Sequence, residues 1–147
     1  MPDNSQDRQS LRDLDGVRVS IDPLSPDLKA RGLSEEALRK TVEGQLERDG
    51  ITVLNAGTFP VGDPFLSVRI SASAENSGLI GFGVEVNFLQ IVFMRRNPAV
   101  TFNRGCTWSA DGGVHLASPA GLRKSIGEQL SKQVAEFIAA YRSVNPK

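Results

Sequence analysis

The chain has 147 residues, with seventeen basic and seventeen acidic side chains, a single cysteine and a single histidine. A chain of this length is most simply one domain, which buries about 70% of its unfolded surface without a disulfide or a metal. The balanced charge excludes a global field that would draw the chain to nucleic acid or anionic lipid. One histidine and one cysteine cannot form a tetrahedral zinc site without carboxylates, so we expect no metal and no cofactor.

The amino-terminal stretch "MPDNSQDRQS" is polar throughout. We expect residues 1–13 to form a flexible tail and residues 14–147 to form a single domain. No leader peptide is visible, and polar residues and glycines interrupt the apolar run at residues 79–94, so we expect no membrane span. The location stays open: periplasmic or secreted if a leader peptide has been removed, and cytoplasmic otherwise.

The first half of the domain predicts a strand, a helix and a second strand. In "GVRVSIDPL" the apolar residues Val17, Val19 and Ile21 alternate with polar ones, which is typical of a strand. A helix over residues 34–49 follows, with Ser34 as its amino-terminal cap and Gly50 just past its end. The short apolar stretch "ITVLN" then predicts a strand parallel to the first one. The helix buries one stripe of apolar side chains: Leu38, Val42 and Leu46.

The second half begins with a predicted hairpin. "FLSVRISAS" alternates between apolar and polar residues, "AENSG" forms the turn, and the long run "SGLIGFGVEVNFLQIVFMRR" returns as the partner strand. Its alternation changes phase near Phe88, which predicts a β-bulge at residues 87–90. "AVTFNRGCTWS" supplies the last strand, in which Trp108 is expected to be a core residue, and "ADGGVHLA" is expected to be a flexible loop.

The closing helix is predicted from Ser118, as its cap, and Pro119 to about Ser143. Its apolar residues recur at helical spacing: Leu122, Ile126, Leu130, Val134, Phe137, Ile138 and Tyr141. The element order is therefore β-α-β-β-β-β-α. It predicts an α+β, two-layer sandwich, with a mixed five-stranded sheet and both helices on one face.

The uncovered face of this sheet is the candidate binding surface. In the long strand, Ile80 to Phe88 alternate so that the apolar set faces the helices and the small or polar set faces outward. We expect binding through this open face or an edge strand near Arg69, Gly83, Glu85 and Asn87. The predicted partner is another protein or a second copy, and the domain is expected not to be an enzyme.

The sequence gives weaker signals for a catalytic or ligand-binding site than for an open binding face. Cys106 and His115 could form a thiol and imidazole pair, but no third group orients them, so no catalytic residue is expected. "GFG" at residues 81–83 lacks the third glycine of a phosphate loop and lies inside a strand, not between a strand and a helix. A small-molecule or enzymatic site remains an alternative where the loops 56–64 and 110–117 would converge near His115.

The second alternative is RNA binding through Arg95, Arg96 and Arg104, which bracket the turn before the last strand. RNA-binding surfaces combine such arginines with exposed aromatic side chains. The sequence shows no net positive domain and no interleaved aromatics that are evidently exposed. Nucleic acid is therefore not the expected partner.

Three stretches carry a family resemblance: "GLSEEALRKTVEGQLERDGITVL", "NFLQIVFMRRNP" leading to "TW", and "FIAAYRSVNPK". They resemble uncharacterised bacterial α+β domains that are often exported, over about residues 14–147. The element order is also similar, at the level of the fold, to the amino-terminal domain of the periplasmic protein TolB, which works in envelope assemblies. The resemblance implies a bacterial origin, is compatible with export, and carries over neither an enzyme activity nor a functional residue.

Overall fold

The structure is a computed structural model that describes residues 3–55, 57, 60–74 and 77–146. The centre of the predicted "AENSG" turn and residues 56, 58 and 59 of the predicted loop 56–64 lie outside the described residues. Five strands form one sheet: β1 (Arg18–Ile21), β2 (Phe65–Ala74), β3 (Ile80–Met94), β4 (Asn97–Ser109) and β5 (Val114–Ala117). Four α-helices accompany them: α1 (Ser5–Arg8), α2 (Pro26–Ala30), α3 (Glu35–Arg48) and α4 (Leu122–Val144).

The strands run β1-β2-β3-β4 across the sheet. β5 pairs with the same edge of β3 as β4 does, but nearer the start of β3. β1 is parallel to β2, while the remaining pairs are antiparallel, so the sheet is mixed. The helices α3 and α4 pack on β1 and β3 and against each other. The α+β class, the five-stranded mixed sheet and the predicted order of strands and main helices are confirmed.

One of the five predicted strands is replaced by another. The stretch at 51–55 forms only a single parallel bridge, between Val17 and Val53, in which the Val17 N–H donates to the Thr52 carbonyl over 2.9 Å. The fifth strand is instead β5, inside the segment expected to be a flexible loop. That expectation is wrong because the backbone of residues 114–117 pairs with residues 80–83 of β3. Four residues after two glycines give too short an alternation to indicate a strand.

The core lies between the helices and one side of the sheet. Every residue of the predicted apolar set in the long strand is buried: Ile80, Phe82, Val84, Val86 and Phe88. The predicted stripes of both helices are buried too, apart from the half-buried Tyr141, and Trp108 joins them as predicted. Phe137 of α4 stacks against Phe88 and meets Trp108 edge-on. Burial of these large rings makes this junction the centre of the domain.

The predicted boundaries of α3 are confirmed by its caps. The Ser34 hydroxyl accepts a hydrogen bond from the Ala37 N–H over 3.0 Å. At the other end Gly50 has φ of +82°, and the Ile51 N–H donates back to the Leu46 carbonyl over 3.0 Å. This is the backbone reversal that glycine permits just past a helix.

The predicted start of the closing helix is three residues early. Ser118 accepts a hydrogen bond from the Gly121 N–H over 3.1 Å, which closes a separate turn ahead of the helix. The helix α4 then begins at Leu122, with Gly121 in the cap position and no side-chain cap. A serine followed by proline indicates both a helix cap and a tight turn, and here the turn forms.

The amino-terminal segment, expected to be a tail, is packed against the domain from residue 3 onward. It contains α1 and a 3-10 turn over Gln9–Leu11, and the Leu11 side chain is fully buried. The Asp3 carboxylate accepts hydrogen bonds from the Trp108 indole, over 3.0 Å, and from the Arg8 guanidinium. One apolar residue in a polar stretch gave no periodic signal of this contact.

The predicted bulge is confirmed, but its extra residue lies on the partner strand. The register between β3 and β4 shifts between Phe88 and Leu89, inside the predicted range. Phe88 pairs with Trp108 and Leu89 with Cys106, so Thr107 is the unpaired residue. The pairing shifts again towards the hairpin end, between Gln90 and Val92 and between Phe93 and Met94.

A buried glutamine of α4 completes the edge of β3 where β4 and β5 leave a gap. The Gln133 amide donates to the Val84 carbonyl over 2.7 Å, and its oxygen accepts from the Val86 N–H over 3.1 Å. Gln133 is fully buried. Its side chain therefore makes the two hydrogen bonds that the backbone of a continuous neighbouring strand would make. The Val84 carbonyl and the Val86 N–H are thereby satisfied inside the core.

Candidate interaction surfaces

The open face of the sheet carries the side chains of β2, β3 and β5 that point away from α3 and α4. Pairing defines it, because residues directly opposite each other in an antiparallel pair point to the same side. The open face comprises Ser67, Arg69, Ser71, Ser73, Gly81, Gly83, Glu85, Asn87, Val114 and Leu116. The opposing residues, such as Val84 and Val86, are buried against the helices. The structure therefore places all four predicted binding residues on one surface.

Arg69 and Glu85 pair across the hairpin at the centre of the open face. The Arg69 Nε donates to a Glu85 carboxylate oxygen over 2.9 Å, and both side chains are exposed. This hydrogen bond, and the charge of Glu85, raise the pKa of Arg69 above its ordinary value. Two exposed, paired charges cancel locally, so the centre of the open face presents polar groups without a net charge.

A shallow trough of about 390 Å³ lies beside this ion pair. Its floor is the glycine-containing backbone of β3 at Gly81 and Gly83, with Ser71 of β2 along one side. Val114 forms part of the opposite side and is 85% exposed, and its neighbour Leu116, which is 62% exposed, lies on the same face. The trough is thus next to two exposed apolar side chains.

Gly83 keeps the trough open. A Cβ built at Gly83 would lie 3.5 Å from the Gly113 carbonyl oxygen and from the Ser71 hydroxyl, which is ordinary van der Waals contact. A side chain at position 83 would therefore fit the backbone and fill the trough. Asn87 is four residues along β3, opposite Ser67 and beyond Glu85, and is half-buried. It borders the open face and does not line the trough.

The structure separates Cys106 from His115. Cys106 pairs with Leu89 on the open side of the sheet, whereas His115 pairs with Phe82, whose side is covered by the helices. The two residues are thus seven positions apart along β3 and on opposite faces, too far for a thiol and imidazole pair. Neither residue occupies its most common environment, which is the core for a free cysteine and an exposed loop for a lone histidine. Cys106 is exposed, not buried, and His115 lies half-buried on a strand with its ring 5.5 Å from that of Phe82.

The two loops proposed to converge near His115 contact different stretches of β3. The Gly62 carbonyl accepts a hydrogen bond from the Ile91 N–H over 2.7 Å, while His115 lies beside Phe82. Nine residues of strand separate those two contacts, which is about 30 Å. His115 and Gly62 therefore do not line a common ligand site.

The hairpin end of β3 and β4, residues 91–105, forms a second surface, which we call the ribbon. Its last open-face neighbour on β2 is Phe65, opposite Leu89, so residues beyond that point have strand partners on one side only. Four large apolar side chains are exposed there: Ile91, Phe93, Val100 and Phe102. Arg95 and Arg96 occupy the turn, and Arg104 places its guanidinium carbon 4.9 Å from the centre of the Phe65 ring.

The exposed apolar ribbon was missed from sequence. The available signal was length, since the predicted strand ending near residue 96 is much longer than its partner "FLSVRISAS". A strand that outruns its neighbour loses both pairing and cover at its end.

Within the described ranges, histidine, cysteine and acidic side chains form no cluster of three that could hold a metal ion. None of the described helices has the length and apolar character that a membrane crossing requires.

No protein-family model matches the chain, and no curated protein matches it. Among solved structures, the chain is similar to a minor lipoprotein from Acinetobacter baumannii, with a TM-score of 0.36 and 9% sequence identity. That alignment covers 89% of this chain and 94% of the lipoprotein chain.

Proposed function

We propose that this protein is a non-catalytic accessory domain that associates with a second copy of itself through the open face. The observation that carries the proposal is the trough at Gly81 and Gly83 directly beside the exposed Val114 and Leu116. A two-fold interface uses the same patch on both subunits, so it must contain both a hollow and the group that fills it. The open face contains both, because the trough and the exposed apolar side chains are next to each other.

Electrostatics on the open face fit the same arrangement. Around a two-fold axis near the ion pair, Arg69 of each copy can meet Glu85 of the other without leaving an unpaired charge. Glycines in a strand allow another chain to approach the backbone closely. Cys106 and His115 lie on different strands and on opposite faces of the sheet, which favours a binding role over nucleophilic catalysis at that pair.

The size of the open face predicts a weak association. Three strands at a spacing of about 4.8 Å and a length of about ten residues span roughly 480 Å². Stable complexes bury about 800 Å² on each partner, and smaller interfaces belong to transient contacts. We therefore expect a dimer that dissociates on dilution, with a Kd on the order of 10 to 100 μM.

Sedimentation velocity over a concentration series tests the proposal. The unmodified protein should shift from monomer towards dimer as its concentration rises through the expected Kd. Gly83→Arg should remain monomeric, because the new side chain fills the trough while its Cβ meets only ordinary contacts. Gly127→Arg is the matched control, since a Cβ at Gly127 in α4 has no neighbour within 4 Å and lies on the helix layer. It should dimerise like the unmodified protein.

Two results would contradict the proposal. The first is a protein that stays monomeric well above 100 μM. The second is a dimer that Gly83→Arg and Gly127→Arg affect equally, because the contact would then lie elsewhere. Circular dichroism of both variants checks that each retains the native fold.

For the location, we propose the bacterial cell envelope. The support is the sequence resemblance of residues 14–147 to bacterial domains that are often exported. Similarity to the TolB amino-terminal domain stays at the level of element order and brings no partner with it. Fractionation of cells that express the natural gene tests this location, and recovery of all the protein with a cytoplasmic marker would contradict it.

A further inference from the structure

The ribbon lies in the longest stretch of the chain that has no acidic residue. From residue 86 to residue 110 the sequence contains three arginines, Arg95, Arg96 and Arg104, and no aspartate or glutamate. Neither Arg95 nor Arg96 has an ion-pair partner among the described residues. A neutral protein thus carries a local charge of about +3 on one hairpin, which attracts an anionic partner at short range.

The pairing of β3 and β4 places an aromatic ring between these arginines. Phe93 pairs with Thr101 and Val92 with Phe102, so Phe93 and Phe102 lie on opposite faces of the ribbon. Phe93 continues the side of Leu89, which is the open side, and is 63% exposed. Phe102 lies on the other side and is 51% exposed.

Arg104 lies on the same side as Phe93. Its guanidinium sits over Phe65, and Phe65 is opposite Leu89 on the open side. Because Gly105 pairs with Gln90, the backbone positions of Arg104 and Phe93 are about two to three residues apart along the ribbon, or roughly 7 to 10 Å, while the Arg104 guanidinium extends away from Phe93 to Phe65. Arg95 and Arg96 follow at the turn. Along the ribbon, Phe93 on the open side therefore lies between Arg104 and the turn that carries Arg95 and Arg96.

We propose that this part of the ribbon binds single-stranded nucleic acid. The arginines contact phosphates, and the Phe93 ring stacks on a base, as on other sheet surfaces that bind single strands without sequence preference. The sequence argued against RNA because no interleaved aromatic residue was evidently exposed. The structure exposes Phe93 between the three arginines that formed that hypothesis. This proposal does not rest on the dimer, which uses the trough at Gly83.

Two other occupants fit the ribbon less well. A second copy bound ribbon to ribbon would bring two acid-free arginine clusters together, which is repulsive. A lipid bilayer entered by the hairpin end would receive Arg95 and Arg96 ahead of the apolar side chains, at a high desolvation cost. A single strand needs only the open side of the ribbon.

Fluorescence anisotropy with a labelled oligouridylate of about twelve nucleotides tests the proposal, with the DNA oligonucleotide of equal length in parallel. The unmodified protein should bind both, and the slope of log K against log salt should be about −2 for three phosphate contacts. Phe93→Ala should weaken binding about tenfold through lost stacking. Phe102→Ala removes a ring that is also more than half exposed, on the other face, and should leave binding unchanged.

A charge variant gives an independent readout. Arg95→Gln combined with Arg96→Gln should reduce the magnitude of the salt slope by about 1.4, because two phosphate contacts are lost. Anisotropy competition with polyglutamate of similar length, and cosedimentation with phosphatidylserine vesicles, distinguish other anionic partners. Nucleic acid should bind in the presence of either competitor at equal charge.

Three outcomes overturn the proposal. The first is the absence of salt-dependent binding to either oligonucleotide. The second is an equal loss for Phe93→Ala and Phe102→Ala, which indicates nonspecific apolar contact. The third is equal or tighter binding of polyglutamate or vesicles, which assigns the ribbon to an acidic protein or a membrane surface. Persistent dimerisation in any of these cases would leave the role of the open face intact.

Discussion

The long strand β3 contributes to two regions that treat similar residues differently. From Ile80 to Phe88 it lies between β2 and the pair β4 and β5, and its apolar side chains are buried under α4. From Ile91 onward it is part of the ribbon, where Phe93 is mostly exposed. The same alternation of apolar and polar residues therefore gives core in one half of the strand and an uncovered surface in the other.

The difference shows that burial of a strand depends on its neighbours more than on its own pattern. α4 covers β3 up to Phe88, where Phe137 of the helix contacts both Phe88 and Trp108. Just beyond, Gln90 still reaches the amino-terminal segment, since its amide donates to the Ser10 carbonyl over 3.2 Å. Past that contact, the ribbon exposes Ile91, Phe93, Val100 and Phe102. Exposed apolar groups in such a place are typical of interaction surfaces.

The largest expected effect contrasts two phenylalanines of β3. Phe88→Ala should lower the free energy of unfolding by about 3 to 5 kcal/mol, because Phe88 is fully buried against Phe137. Phe93→Ala, five residues along the same strand, should change it by less than about 0.5 kcal/mol. Urea denaturation of both variants measures the two values. Equal destabilisation would mean that the ribbon is packed in solution, and the contrast between the two regions would fail.

The second expected effect concerns the gap between β4 and β5. Gln133→Leu keeps the volume of the side chain but leaves the Val84 carbonyl and the Val86 N–H without partners inside the core. We expect a loss of about 3 kcal/mol in the free energy of unfolding, since each unsatisfied buried group costs about 1 to 3 kcal/mol. Gln129→Leu, one turn earlier on α4 and half-buried, is the control and should cost less than about 0.5 kcal/mol.

A neutral result for Gln133→Leu would show that β4 and β5 can close the gap with their own backbone. Hydrogen exchange adds a second readout at the same place. In the variant, the Val86 amide should exchange faster than in the unmodified protein, while amides paired with β2 should change less. Uniform acceleration of the whole sheet would instead indicate global destabilisation.

Most of the fold could be predicted from sequence because its signals are local and repeated. The alternation in β1, β2 and β3 and the stripe on α4 recur over several turns or residue pairs, and the caps of α3 at Ser34 and Gly50 lie next to the helix that they end. Such patterns survive the loss of all tertiary information. The two-layer arrangement follows from them.

The errors arise where one residue acts through a distant contact. Leu11 is a single apolar residue in a polar segment, and Gln133 reads as a polar residue of a helix surface, yet both are fully buried. β5 offers only four residues of alternation. For the open face, sequence placed Arg69, Gly83, Glu85 and Asn87 correctly on one side, but the trough depends on Val114 and Leu116 of the unpredicted strand.

The smallest of the expected stability effects concerns Asp3, and it tests whether the amino-terminal segment covers the end of the sheet. Hydrogen bonds from Arg8 and from the Trp108 indole hold the pKa of Asp3 below its ordinary value. A lowered pKa in the folded state means that the contribution is complete above roughly pH 4 and is lost as the pH falls through the folded value. Asp3→Asn should cost about 1 to 2 kcal/mol at pH 7, and its difference from the unmodified protein should shrink below pH 4.

Chemical denaturation at pH 7, 5, 4 and 3 measures this difference, and using the difference cancels carboxylates common to both proteins, such as Glu35, whose pKa is also lowered. Because Asp3 ties the amino-terminal segment to Trp108 at the base of the ribbon, its loss should also speed exchange of amides in β4 near Ser109 more than those near Gly83. A pH-independent difference would mean that the Asp3 contacts do not form in solution. The amino-terminal segment would then act as a tail, and the covered part of the sheet would end at Trp108 itself.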